Sequence, residues 1–130
     1  MIASLIAGLA LTATATDFPG NPDQYSEWMQ HACQIQQVGY NGGGVPADYV
    51  EFCSCLDGHL QETSSEPVYR VFALGSQGSL QDQSMIEDWE GARDTAAAEA
   101  GAMAPEVQGQ FASLLQGALG HCFALSPSAN

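Results

Sequence analysis

The sequence is short of basic residues: it contains no lysine and only two arginines, Arg70 and Arg93. These are opposed by 15 acidic residues, so the formal net charge at pH 7 is −13. Such a chain repels phosphate backbones and anionic headgroups, which makes nucleic acid and anionic lipid poor partners. It attracts cationic proteins, cationic peptides or divalent metal ions. The competing interpretation is that the acidity serves solubility alone.

Long hydrophobic runs are also lacking, since none approaches the ~20 apolar residues of a membrane-spanning helix. The opening segment, MIASLIAGLALTATA, is a short apolar run that ends in small residues. Although it carries no basic residue, its Ala13-Thr14-Ala15 ending fits a cleavage site for export. We therefore expect residues 1–15 to be a signal peptide and residues 16–130 to be one helical domain, with a frayed tail at 126–130. The alternative is a core helix of a cytosolic protein.

Motifs of common enzymes are absent as well. The sequence has no GxSxG, no HExxH and no paired CxxC motifs, and the glycines at 42–44 lack the Lys and Ser/Thr of a phosphate-binding loop. We therefore predict a protein without enzymatic activity and without a cofactor.

Apolar residues recur at helical spacing along most of the chain. Asn21 followed by Pro22 is typical of a helix start, and Tyr25, Trp28 and Met29 then form one apolar face. The patterns predict helices over 21–38, 46–61, 68–74 and 80–103 and a last helix from Pro105, with a loop at 75–79. Met85 is predicted on the inner face of the fourth helix. We find no strand alternation, so the fold class is all-α, a small bundle of four to five helices linked by two disulfides.

The motif Phe52-Cys53-Ser54-Cys55 decides how the four cysteines are used. On a helix, side chains two residues apart point about 200° from each other, so Cys53 and Cys55 cannot share one partner. Each can instead reach another element, one meeting Cys33 and the other Cys122. Four cysteines allow three connectivities, and helix register favours Cys33–Cys53 with Cys55–Cys122 over the crossed pairing, which stays open.

This arrangement resembles a known group of proteins. A helix that carries a cysteine, a glycine-rich turn, the pattern P..Y..FCSC and a last cysteine near the C-terminus are similar to small exported proteobacterial proteins with an aromatic-Cys-x-Cys motif. The resemblance covers Cys33 to Cys55 and implies a disulfide-bonded helical domain outside the cytoplasm, without implying a mechanism. Small periplasmic immunity proteins look similar in size and cysteine use, which implies an immunity- or inhibitor-like role.

The alternative function is a small metal-binding or thiol-redox protein of the cell envelope. Potential soft ligands cluster in MQHAC and near the second and last helices; they are His31, Cys33, Cys55, His59 and His121. Oxidised cysteines cannot act as thiolate ligands, however, and the acidic neighbours Glu51 and Asp57 would raise the pKa of a nearby thiol. We therefore predict that no metal is bound.

The prediction that follows is a periplasmic or secreted, non-enzymatic helical module that binds a protein or peptide, and in particular a cationic one. The candidate contact residues are Glu87, Asp88 and Glu90, an acidic cluster expected on the solvent face of one helix.

Overall fold

The structure is a computed structural model in which residues 18–127 are described. The predicted signal peptide and residues 128–130 lie outside this range. Within it, the chain forms six α-helices and no strand, and five of the helices have 12 residues or more. In chain order the helices are α1 Pro22–Asn41, α2 Val50–Thr63, α3 Glu66–Ser79, α4 Trp89–Gly101, α5 Pro105–Gln108 and α6 Phe111–Cys122. The predicted all-α class is confirmed.

Helix α1 begins where its cap predicts. The Oδ1 atom of Asn21 accepts a hydrogen bond from the Gln24 N–H at 3.0 Å, and Pro22 occupies the first helical position. The helix was predicted over 21–38, with Gly39 and the glycines of NGGG ending it, and it runs three residues further, because glycine within a helix costs about 1 kcal/mol but does not force an end. The helix ends at Gly42, which has a φ of 69°, and the Gly43 N–H then bonds to the Val38 carbonyl at 3.1 Å.

The second predicted helix begins with a single turn of 3₁₀-helix, Pro46–Tyr49, that leads directly into α2. Two side chains hold this turn against the preceding glycines. The Tyr49 hydroxyl donates to the Gly43 carbonyl at 2.9 Å, and an Asp48 oxygen accepts from the Val45 N–H at 3.0 Å. The turn therefore sets the angle at which α2 returns along α1.

The boundary between α3 and α4 differs most from prediction. Residues 75–79 are the last turn of α3 and not a loop, whereas residues 80–88 are largely non-helical and α4 begins only at Trp89. Gly78 lies so close to α4 that a Cβ added there would stand 2.7 Å from the Arg93 Cα. Gly78 thus permits close packing of α3 on α4, which local sequence does not reveal. Met85, predicted inside, is 44% exposed.

The last predicted helix is divided, because α5 is a single turn and a bend at 109–110 separates it from α6. Helix α6 packs mainly on α2, while the ring of Phe111 also meets that of Phe72 on α3 with centroids 5.2 Å apart. The remaining core lies among α1, α2, α3 and α4. Its buried side chains include Tyr25, Trp28, Met29, Phe52, Leu56, Leu60, Tyr69 and Leu74.

Candidate functional site

The four cysteines form two disulfides, Cys33–Cys53 and Cys55–Cys122. The Cα atoms are 5.7 Å apart in the first pair and 5.8 Å apart in the second. The structure therefore contains the pairing that helix register favoured, and no cysteine is free within the described chain. The FCSC motif is a pair of structural links: Cys53 joins α2 to α1, and Cys55 joins α2 to α6.

A buried carboxylate lies beside the first link. Asp57 on α2 is 3% exposed and accepts hydrogen bonds from Ser26, Gln30 and Tyr69, with Gln30 Nε2 at 3.2 Å. Sequence reasoning treated Asp57 only as an acidic neighbour of the cysteines. The available signal was its position on the apolar stripe of α2, four residues after Cys53 and three before Leu60. A charged group that is buried with three donors is a structural feature, since burial without partners would be costly.

The Tyr69 hydroxyl is kept protonated by the same cluster. Burial raises the pKa of Tyr69, and its hydrogen bond to Asp57 raises the pKa further, because the phenolate would lose that bond and stand beside the carboxylate. Tyr69 therefore stays a hydrogen-bond donor at neutral pH, and the cluster links α1, α2 and α3.

An open recess with acidic walls lies on the surface above Asp57. It has a volume of about 480 Å³, and its walls are Asp23, Ser26, Glu27, Gln30, His31, Gln34 and Met85. Ser26 and Gln30 belong both to these walls and to the Asp57 cluster, so they hold fixed positions. We call this feature the acidic recess. It is built mainly from one face of α1, together with the loop that precedes α4.

His31, another wall of the acidic recess, is hydrogen-bonded to a buried side chain of α3. Its Nδ1 atom lies 3.0 Å from Gln77 Nε2, which also donates to the Trp28 carbonyl at 2.8 Å. Because an amide nitrogen is a donor, the Nδ1 atom acts as the acceptor and therefore carries no proton. Partial burial lowers the pKa of His31, and the nearby carboxylate of Glu27 offsets part of this effect.

The three predicted contact residues are placed differently from expectation. Only Glu90 lies in α4, Glu87 precedes the helix, and Asp88 is its N-cap, with Oδ1 accepting from the Gly91 N–H at 3.0 Å. All three are exposed. Met85, just before them in the chain, is a wall of the acidic recess. The three residues therefore continue the chain from the edge of that recess.

The two arginines are both engaged by carboxylates. Arg70 binds Glu99 through Nε at 2.8 Å and through Nη2 at 3.0 Å, and its Nη1 atom also donates to the Phe18 carbonyl. The hydrogen bond to Glu99 is the main cause that raises the pKa of Arg70. Arg93 pairs with Asp94 at 3.2 Å on the surface. In the part of the chain that the structure describes, these are the only ion pairs.

The residues of the alternative metal site are dispersed. Cys33 and Cys55 belong to different disulfides, and His31 faces the acidic recess. The structure does bring His59 of α2 and His121 of α6 together, with stacked rings whose centroids are 4.4 Å apart. Among residues 18–127, no group of three or more His, Cys, Asp or Glu side chains is arranged to hold a metal ion.

Fold and site together define a disulfide-linked, all-α acidic domain. No protein family, curated protein or solved structure shows detectable similarity to the chain. The resemblance to exported aromatic-Cys-x-Cys proteins therefore stays a prediction. Across the described residues, none of the helices combines the length and the apolar character needed to cross a bilayer.

Proposed function

We propose that this protein is a non-enzymatic binding module that works in the periplasm or outside the cell and binds a cationic protein or peptide. The observation that carries the proposal is its charge balance. Both arginines are paired within the domain, so only Glu99 and Asp94 have a basic partner among the acidic residues described. The remaining exposed carboxylates present an uncompensated negative field, which accelerates encounter with a basic partner.

The acidic recess is the part of this surface best suited to a basic side chain. Asp23 and Glu27 supply negative charge at its wall, while Gln34 adds a neutral carbonyl acceptor. Met85 offers an apolar contact for the aliphatic stem of a lysine or arginine. Glu87, Asp88 and Glu90 extend the negative surface beyond the recess, so we assign them to the encounter with the rest of a basic segment.

The proposed compartment agrees with the two disulfides, since such bonds form and persist in oxidising environments. Non-reducing peptide mapping of the protein purified from its own compartment tests this. We expect Cys33–Cys53 and Cys55–Cys122 and no free thiol. Free thiols in that material would instead favour the thiol or metal function.

Binding is tested with oligolysine peptides of defined length, followed by capture of the native partner at low and high salt. We expect the association rate constant to fall as salt rises, because exposed charges are screened over about 8 Å at physiological ionic strength. Two sets of substitutions separate the two parts of the surface. Asp23→Asn with Glu27→Gln should weaken the bound complex, whereas Glu87→Gln, Asp88→Asn and Glu90→Gln together should slow association.

A matched control removes the same charge elsewhere. Glu51→Gln, Glu62→Gln and Glu106→Gln together also remove three exposed carboxylates, but none of these residues lies in the recess or in the segment 87–90. We call the combination of Glu87→Gln, Asp88→Asn and Glu90→Gln the contact variant. It should stay folded, because asparagine at position 88 keeps a capping side chain. If the control slows association as much as the contact variant, the acidic surface acts only through net charge. If no variant alters binding, the acidity serves solubility.

A further inference from the structure

Helix α6 has an apolar ridge that no described part of the chain covers. Ala118 and Cys122 are buried against the body of the domain. Leu115 and Leu119 of α6 are each 37% exposed, and Phe123, the first residue after the helix, is 63% exposed. Phe123 keeps helical backbone angles, with φ −54° and ψ −40°, so the spacing of four residues continues through it. Residues at this spacing form one of the ridges through which helices pack on each other. We call these three side chains the α6 ridge.

The α6 ridge lies in an uncharged part of a strongly acidic protein. After Glu106 the sequence contains no Asp, Glu, Lys or Arg, so α6 and the turn after it carry no carboxylate, lysine or arginine side chain. The one titratable side chain in the last turn of α6 is His121, which stacks on His59. On a domain with a net charge of −13, this is the surface that a second acidic molecule can approach with least repulsion.

A recess next to the ridge is also uncharged. It has a volume of about 320 Å³, and Leu115 forms one of its walls together with Leu56, Val71 and Phe72. Polar atoms come from neutral side chains, including Gln36 and Ser79, which are hydrogen-bonded to each other at 2.9 Å. We call this feature the neutral recess. It offers a place for an apolar side chain beside one end of the ridge.

We propose that the α6 ridge is a two-fold interface through which two copies of this chain associate, with Phe123 of each copy entering the neutral recess of the other. The register follows from the spacing. When two α6 helices pack antiparallel about Leu119, that residue faces its own counterpart. Phe123, four residues later, then faces Leu115 of the other copy, which is a wall of the neutral recess.

A second copy is the occupant because one surface carries both complementary parts, a projecting aromatic side chain and an uncharged recess. A two-fold interface uses the same patch on both molecules, so such a patch must be complementary to itself. This association is independent of the proposed cationic partner, and it has the opposite salt dependence. Salt screens the repulsion between two chains of charge −13, so it strengthens the dimer, whereas it weakens binding of a cationic partner.

Sedimentation equilibrium of the purified protein with both disulfides formed tests the proposal. We expect a monomer–dimer equilibrium that shifts toward dimer between about 0.1 M and about 1 M NaCl, as the screening length falls from about 10 Å to about 3 Å. Phe123→Glu should raise the dissociation constant about 30-fold or more, the effect of removing an aromatic side chain that fills a pocket of the partner. Val50→Glu is the matched control, because it adds the same charge at an apolar residue that is 47% exposed on α2.

A charge-exchange pair tests the axis itself. Leu119→Glu and Leu119→Lys should each give monomers, because like charges then meet at the axis, and an equimolar mixture should form a heterodimer. A native protein that stays monomeric at high salt would overturn the proposal. So would a Phe123→Glu protein that dimerises like the native one, or Leu119 variants that do not pair on mixing. Binding of the ridge to uncharged phosphatidylcholine vesicles, without self-association, would assign it to lipid instead.

Discussion

The phenol of Tyr69 on α3 donates a hydrogen bond to the carboxylate of Asp57 on α2, and both residues are almost fully buried. Tyr69→Phe removes the donor and leaves Asp57 with Ser26 and Gln30 only. We expect a loss of about 1–3 kcal/mol in the free energy of unfolding, measured by urea denaturation. Tyr40→Phe removes the same hydroxyl from a residue that is 78% exposed and should change stability little. Equal effects of the two substitutions would contradict a structural role for the Asp57 cluster.

The same pair predicts a loss of stability in alkali. The pKa of Tyr69 in the folded protein lies above its unfolded value of about 10, so the folded state holds this proton more tightly. The resulting stabilisation is complete below about pH 10 and is lost as the pH rises above that value. Urea denaturation from pH 8 upward should therefore show a smaller decline for Tyr69→Phe than for the native protein. Parallel declines would show that other groups cause the loss.

Two glycines of α3 should respond oppositely to alanine. At Gly78 an added Cβ would lie 2.7 Å from the Arg93 Cα, so α3 and α4 must separate, at a cost of about 1–3 kcal/mol. At Gly75 the nearest atom is the Ala96 Cβ at 3.7 Å, an ordinary contact, and alanine should stabilise the helix by up to about 1 kcal/mol. Thermal unfolding of the two variants measures both effects. Stabilisation by Gly78→Ala would show that the helices are not so close.

The N-cap of α1 is tested by a pair of substitutions at one position. Asn21→Ala removes the acceptor for the Gln24 N–H and should cost about 1 kcal/mol, whereas Asn21→Ser keeps a capping oxygen and should cost much less. Chemical denaturation of both variants measures the difference. Indistinguishable stabilities would mean that the helix begins elsewhere.

His31 predicts a loss of stability on the acid side. Burial lowers its pKa below the unfolded value of about 6.5, so the folded state favours the neutral ring that accepts from Gln77. This stabilisation is present above pH 6.5 and is lost as the pH falls through the lowered pKa. His31→Gln should therefore flatten the stability profile between about pH 7 and pH 5. His121→Gln is the control, because it also replaces one histidine by glutamine but leaves the bond between Gln77 and His31 intact. Equal flattening by both substitutions would contradict the assignment of the acid-side loss to His31.

Sequence patterns predicted the features that depend on residues close together in the chain. The cap at Asn21 is local, and the helical class follows from apolar spacing that repeats along the chain. The exclusion of a Cys53–Cys55 bond was also accessible, because the two residues must point to opposite sides of any helix that contains both. Helix register favoured the observed pairing but left the crossed pairing open. The cap, the helical class and the excluded Cys53–Cys55 bond could each be argued without knowing which helices pack together.

The features that were missed depend on residues distant in the chain. Gln77 lies in the segment predicted as a loop, yet it is fully buried and donates to the Trp28 carbonyl, 49 residues earlier. Its environment exists only after α1 and α3 meet. The acidic recess was missed for the same reason, because Met85 joins the α1 residues only when the 80–88 segment folds back. Locally, the glycines around Gln77 favoured a loop, and tertiary packing made that segment a helix turn.

The two disulfides also divide the chain into two covalent rings that are joined through Ser54 alone. Every non-helical connection from residue 42 to residue 110 falls inside one of these rings. A protease that cuts at such a connection, where nicking concentrates, therefore leaves the protein in one covalent piece. Between Cys33 and Cys122, only the two peptide bonds that flank Ser54 could separate the chain when cut, and both lie within α2. A molecule that is cut once in each ring therefore keeps all its segments attached, and reduction of the disulfides is needed to release them.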